Sequence, residues 1–148
     1  MRYTIVYIPL FLLFTWTNHI RVIAQEKRTC FATYRYEIHV INNLPPKSAP
    51  LVIHCASGDD DLGNHTLTYK QDYHWDFCEN FVFSTLFFCH FRWGTKEKAL
   101  EVFNAHWRKR CDDGYCYWEA RNDGLYVSTG LNEDIYFKKY VDWQNRKG

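Results

Sequence analysis

Cysteines and histidines are the residues of this chain best suited to chemistry. The cysteines are Cys30, Cys55, Cys78, Cys89, Cys111 and Cys116. An even set suits three disulfides in an oxidising compartment and metal ligation in a reducing one. Zinc needs close ligand pairs. Cys111 and Cys116 have four residues between them, and no second Cys or His pair has finger or ribbon spacing. Disulfides are therefore expected, and no metal. Six cysteines allow 15 pairings, among which spacing cannot choose. Among the histidines, His54 and His90 are the pair to weigh for acid–base catalysis in a secreted hydrolase or nuclease. Both stand in strand-like runs next to a cysteine, an ordinary structural setting. The chain has no Gly-x-Ser-x-Gly, no metal-binding His pair at helical spacing and no phosphate loop. No catalytic residue, enzymatic activity or cofactor is expected.

Three polar motifs remain. Asn64-His65-Thr66 is the one Asn-x-Ser/Thr sequon of the sequence, and it follows an acidic turn that must be exposed. In an exported chain it is a glycosylation site at Asn64. Residues 107–115 place Arg108, Lys109 and Arg110 beside Asp112 and Asp113. Both signs in one loop suit a specific protein contact better than phosphate binding, and these five residues are the expected partner-binding set. Asp59-Asp60-Asp61 offers carboxylates to Ca²⁺, but Gly63 comes too soon for an EF-hand and no Glu closes the loop. A plain acidic turn is the better reading.

The compartment follows from the start of the chain. Arg2 precedes an apolar run over residues 5–16, too short to span a bilayer, which needs roughly 20 residues. Such a run is a signal-peptide core, with cleavage expected between Ala24 and Gln25. Removing 1–24 takes away Arg2 and Arg21 and no acids, so the net charge falls from +1 to −1. A near-neutral domain has no field to gather nucleic acid or anionic membrane. Residues 25–148 hold no second long apolar stretch, so no membrane span is expected after cleavage.

Those residues are a normal size for one domain. Tyr36, Ile38 and Val40 alternate with Arg35, Glu37 and His39, which is strand periodicity. His65, Leu67 and Tyr69 alternate similarly, as do Tyr73, Trp75 and Phe77. Residues 84–93 are nearly all apolar or aromatic and predict a central strand covered on part of both faces. Residues 99–104 predict its hairpin return. Asn122-Asp123-Gly124 predicts a tight hairpin. About eight short strands with turns between them predict an all-β fold, a small antiparallel β-sandwich. Most aromatics are expected in its core.

The ordered series of segments resembles a known family. Residues 40–44 and 51–57 are similar to the opening of the plant self-incompatibility S-protein homologues. The likeness continues through Asp60-Asp61-Leu62-Gly63, Tyr73-His74-Trp75-Asp76-Phe77 and residues 85–93. It closes with Cys116-Tyr117-Trp118-Glu119-Ala120, Asp123-Gly124-Leu125-Tyr126 and Trp143. The resemblance implies a secreted, non-enzymatic β-sandwich. It further implies a recognition ligand of the kind stigmas secrete, which a pollen-surface protein reads. The family's usual four cysteines fall on Cys55, Cys89, Cys111 and Cys116, leaving Cys30 and Cys78 to pair with each other. Three pairings of the four remain, and Cys55–Cys116 with Cys89–Cys111 is the expectation. The partner implied is a cell-surface receptor protein, met by a monomer. One rival is a carbohydrate- or cell-wall-binding module, with Trp107 and Tyr115 stacking on sugar. The other is the secreted hydrolase or nuclease weighed above.

Overall fold

The computed structural model of this protein describes residues 29–111, 113–128 and 136–147, without the side chains of 108–110. The expected signal peptide lies outside them. Alternation builds the strands. In β1 (Arg35–Asn42) every second residue from Tyr36 is buried. The pattern repeats in β2 (Leu51–Ala56), and in β4 (Asp72–Cys78) from Trp75 onward. The other strands are β3 (Asp61–Leu67), β5 (Leu86–Trp93), β6 (Lys96–Asn104), β7 (Tyr115–Arg121), β8 (Gly124–Ser128), β9 (Phe137–Val141) and the two-residue β10 (Gln144–Asn145). One 3₁₀ turn, Ala105–Arg110, follows β6 and is capped by the Asn104 side chain, which accepts from the His106 N–H.

Two five-stranded sheets pack face to face, ordered β4-β1-β7-β8-β9 and β10-β6-β5-β2-β3. The sandwich is as expected, with ten strands described where about eight were counted. It is not wholly antiparallel. β1 and β7 run parallel, with Val40 beside Trp118. Both strands leave the same end of the sandwich: the Glu37 N–H donates to the Gly114 carbonyl at 2.8 Å, which sets the register. Gly114 has φ +85, and a Cβ there would come within 2.6 Å of the Arg35 carbonyl oxygen. Only glycine lets the chain pass so close.

The core is aromatic. Phe77 contacts Phe87 and Phe103 at centroid distances of 4.6 and 4.9 Å, and Tyr36 lies 4.6 Å from Phe103. Such rings carry much of the burial, and truncating one to alanine costs roughly 3–5 kcal/mol. Two polar groups tie the sheets. The Trp118 indole N–H donates to the Val102 carbonyl at 2.9 Å. Asn42 donates through Nδ2 to the Leu67 carbonyl and accepts at Oδ1 from the Leu44 N–H, so both ends of a buried amide are satisfied. β5 is central in its sheet: Phe87, Cys89 and Phe91 are buried on the inner face, while on the outer face His90 and Arg92 are half-buried and Leu86 and Phe88 are exposed, so cover there is partial as expected.

The disulfides are Cys30–Cys78, Cys55–Cys89 and Cys111–Cys116. The first ties the segment before β1 to the end of β4. The other two replace the expected Cys55–Cys116 and Cys89–Cys111. Register explains the change. Cys55 and Cys89 stand directly opposite on antiparallel β2 and β5, with Cα atoms 4.1 Å apart. Cys111 and Cys116 flank the tight turn into β7, 4.5 Å apart. Cys55 and Cys116 belong to different sheets, so bridging them would abandon both short contacts.

Candidate functional site

One end of the sandwich gathers the loops and the staples. Cys78 ends β4, Ala56 ends β2, Asn104 ends β6, and β1, β5 and β7 begin there. The loop of residues 79–85 crosses this end. Asn80 holds it from inside: its Oδ1 accepts from the Ser84 N–H at 2.8 Å and its Nδ2 donates to Ser84 Oγ at 2.9 Å. The Asn80 N–H donates to Thr85 Oγ1, and the Phe83 N–H to the Asn80 carbonyl. The loop so fixed presents Phe81 and Val82, 71% and 77% exposed, with Phe83 partly exposed behind them at φ +53. Phe31, beside the Cys30–Cys78 staple, is also exposed. Monomeric surfaces seldom hold bulky apolar groups out on an ordered loop without a use for them. A cleft of about 340 Å³ opens between this loop and the acidic turn, lined by Asp59, Asp60, Asn80 and Ser84 among others.

Residues 79–83 have no period and one charge, Glu79, and so drew no assignment from the sequence. The signal was an apolar triplet bracketed by Asn80 and Ser84, residues that hydrogen-bond locally and make turns. The described part of the expected partner-binding set follows β6 at the same end. Ala105 donates its N–H to the Thr85 carbonyl at 2.9 Å, so the 3₁₀ turn starts against the apolar loop. Arg108, Lys109 and Arg110 fall in that turn, and their side chains are outside the described residues, as is Asp112. Asp113 is exposed at φ +48. The first part of the expected charged loop, residues 107–110, thus belongs to a six-residue 3₁₀ segment. Trp107 is half-buried within it, and Tyr115, also half-buried, has its ring near-parallel to that of Tyr117 with centroids 6.5 Å apart.

The remaining motifs lie elsewhere. Asn64 is exposed on β3, an edge strand, where its Oδ1 accepts from Arg92 at 3.1 Å. Asp61 accepts from the Gly63 N–H at 2.9 Å and lies 2.7 Å from His54 Nε2. These two bonds, the backbone one first, hold its carboxyl below the usual range. Its carboxylate is committed within its own turn, which fits the plain acidic turn. His54 and His90 face each other across β2 and β5 on the outer side of the sheet, each turned to its own carboxylate. No nucleophile stands between them among the described contacts.

The fold is a disulfide-stapled β-sandwich with an ordered apolar loop at one end. A family profile described as plant self-incompatibility protein S1 matches residues 37–143, and the chain belongs to that family of secreted plant proteins. It is 46% identical to S-protein homolog 5 of Arabidopsis thaliana over 76 residues, which is 51% of this chain and 58% of that protein. It is 34% identical to S-protein homolog 74 of the same plant over 108 residues, 71% of each. The fold is that of a solved structure described as self-incompatibility protein homologues, a widespread family of small, highly stable, secreted plant proteins. The TM-score is 0.62 at 20% identity, covering 78% of this chain and all of that one. Among the described residues no helix is long and apolar enough to cross a membrane.

Proposed function

We propose that this protein is a non-enzymatic ligand that docks its stapled end into an apolar pocket of a cell-surface receptor protein. It leaves the cell on the segment 1–24, starts at Gln25, carries a glycan at Asn64 and acts as a monomer. The observation that carries the reading is the Asn80-pinned loop with Phe81 and Val82 in solvent. An apolar group already ordered loses little conformational freedom on binding, so its burial goes into affinity. Central apolar anchors ringed by polar groups are how such contacts concentrate their energy. The acids Asp59 and Asp60, which line the cleft beside the loop, supply part of that ring, and charges there select among partners. A glycan on β3 is compatible, since it would cover an exposed strand edge and leave the stapled end clear.

Binding of the fluorescently labelled, secreted protein to pollen or other cells of its plant tests the reading. Phe81→Ser with Val82→Ser should lower surface binding at least tenfold while leaving the thermal midpoint within a few degrees, because both side chains are exposed. Full binding by that variant would sink the proposal. Exchange of residues 107–113 with those of a relative should change which cells are bound.

A further inference from the structure

On the outer face of the first sheet a second constellation stands apart from the stapled loops. His39 of β1 and His74 of β4 are directly opposite in register, their rings stacked at 5.0 Å and 25°. Asp72, two residues before His74 on the same face, places Oδ2 2.7 Å from His39 Nδ1 and 3.9 Å from His74 Nδ1. One ligand atom from each of the three lies within 4.8 Å of the others. The geometry points to a divalent transition-metal site, and we propose that His39, His74 and Asp72 bind Zn²⁺.

The donor set fits. Imidazole nitrogen and carboxylate oxygen suit Zn²⁺, and three protein ligands leave a fourth position for water. Ligands of a tetrahedral ion at bond lengths near 2.0 Å stand about 3.3 Å apart. The widest pair must therefore draw in by up to about 1.5 Å, while Asp72 Oδ2 and His39 Nδ1, 2.7 Å apart, open slightly to admit the ion. Asp72 and His74 are exposed and free to make that move, while His39 is the fixed member, its side chain only 12% exposed.

What surrounds His39 is the supporting shell a metal ligand needs. Tyr117 stacks on its other ring face at 4.6 Å. Its Nε2 is shut from solvent and makes no aligned hydrogen bond, although Glu37 Oε1 stands 3.3 Å away. Glu37 is held in turn by Arg35 at 2.8 Å, and Arg35 by Asp76 at 3.0 Å. Carboxylates thus stand at both ring nitrogens of His39. A metal ion held at Nδ1 would be shared with Asp72 and leave Nε2 to donate to Glu37. The local charge also suits a cation: Glu37, Asp72 and Asp76 gather on this face, with Arg35 between Glu37 and Asp76.

The test is titration of the secreted, disulfide-bonded protein, made without a polyhistidine tag, with ZnCl₂ by calorimetry. One ion should bind per chain. His74→Gln and Asp72→Asn, both at exposed side chains, should each weaken binding at least tenfold. His54→Gln, at a histidine pair without convergence, should leave it unchanged. CaCl₂ should give no binding, since a hard ion wants six or more oxygens. Absence of Zn²⁺ binding overturns the proposal. So does unchanged affinity in His74→Gln and Asp72→Asn, equal loss in His54→Gln, or Ca²⁺ binding as tight as Zn²⁺.

Discussion

Each sheet carries a cross-strand histidine pair on its outer face, and the two pairs behave differently. His39 and His74 stack and turn to one carboxylate, Asp72. His54 and His90 occupy the same relation across β2 and β5, yet His54 goes to Asp61 at 2.7 Å and His90 to Glu97 at 3.0 Å. Antiparallel pairing brings any two opposite side chains close. The carboxylates then decide. Asp72 sits between the histidines on a strand of the pair. Asp61 starts the next strand outward and Glu97 lies on the far neighbour, so they draw the second pair apart. Register makes proximity common, and the placement of a third group makes a site.

The largest effect separating the faces concerns what holds them. Beneath His54 and His90 the next rung is Cys55–Cys89, a covalent one. The first sheet has no such rung between β1 and β4, and Cys30–Cys78 reaches it only at its end. Closing a separation of 34 residues constrains the unfolded chain by about 4 kcal/mol, against about 2 kcal/mol for the 5 of Cys111–Cys116. Cys55→Ala with Cys89→Ala should thus lower stability by about 4 kcal/mol, read from the urea midpoint at constant slope. Zn²⁺ affinity below the unfolding transition should not change. A loss under about 1 kcal/mol would mean that hydrogen bonding and packing alone fix the register of β2 and β5.

A smaller effect follows from packing. His39 is clasped between His74 and Tyr117, whereas the His54 side chain is 39% exposed. His39→Ala should cost about 1–2 kcal/mol, from lost stacking and a lost partner for Asp72. His54→Ala should stay within about 0.5 kcal/mol. Equal losses would erase the distinction between a built pair and an incidental one.

Much of this fold was legible in the sequence because alternation is a local signal. β1 and β2, and β4 from Trp75, bury the face that period 2 assigns them. Direction and register are not local. The same alternation in β1 and β7 serves parallel and antiparallel pairing alike, and nothing near Val40 names Trp118. For that reason the disulfide partners of Cys55 and Cys111 were misassigned, and His39 and His74 read as two unrelated strand residues. Composition reports how apolar β5 is but not how far cover extends along its outer face, which reaches His90 and Arg92 and stops short of Leu86 and Phe88. The five charged residues at 108–113 were chosen for charge. The loop beside them is marked by local hydrogen bonding around Asn80, which composition does not reveal.

The smallest effect asks why the second pair is drawn apart. Asp61 is held first by the Gly63 N–H and second by His54, and both lower its carboxyl below the usual range. A carboxylate with a depressed folded value adds stability that is complete above the unfolded value near 4. That stability is lost as pH falls through the folded one. Wild type should therefore melt above Asp61→Asn at pH 5–6, with the gap closing below about pH 4. The gap should survive in large part in a His54→Gln background, because the backbone donor is the stronger hold. Thermal midpoints of the four proteins between pH 3 and 6 read both results. If the gap instead vanished with His54, the histidine would be positioning the aspartate. The splayed geometry would then be a property of the pair, and not of the turn that anchors Asp61 beside it.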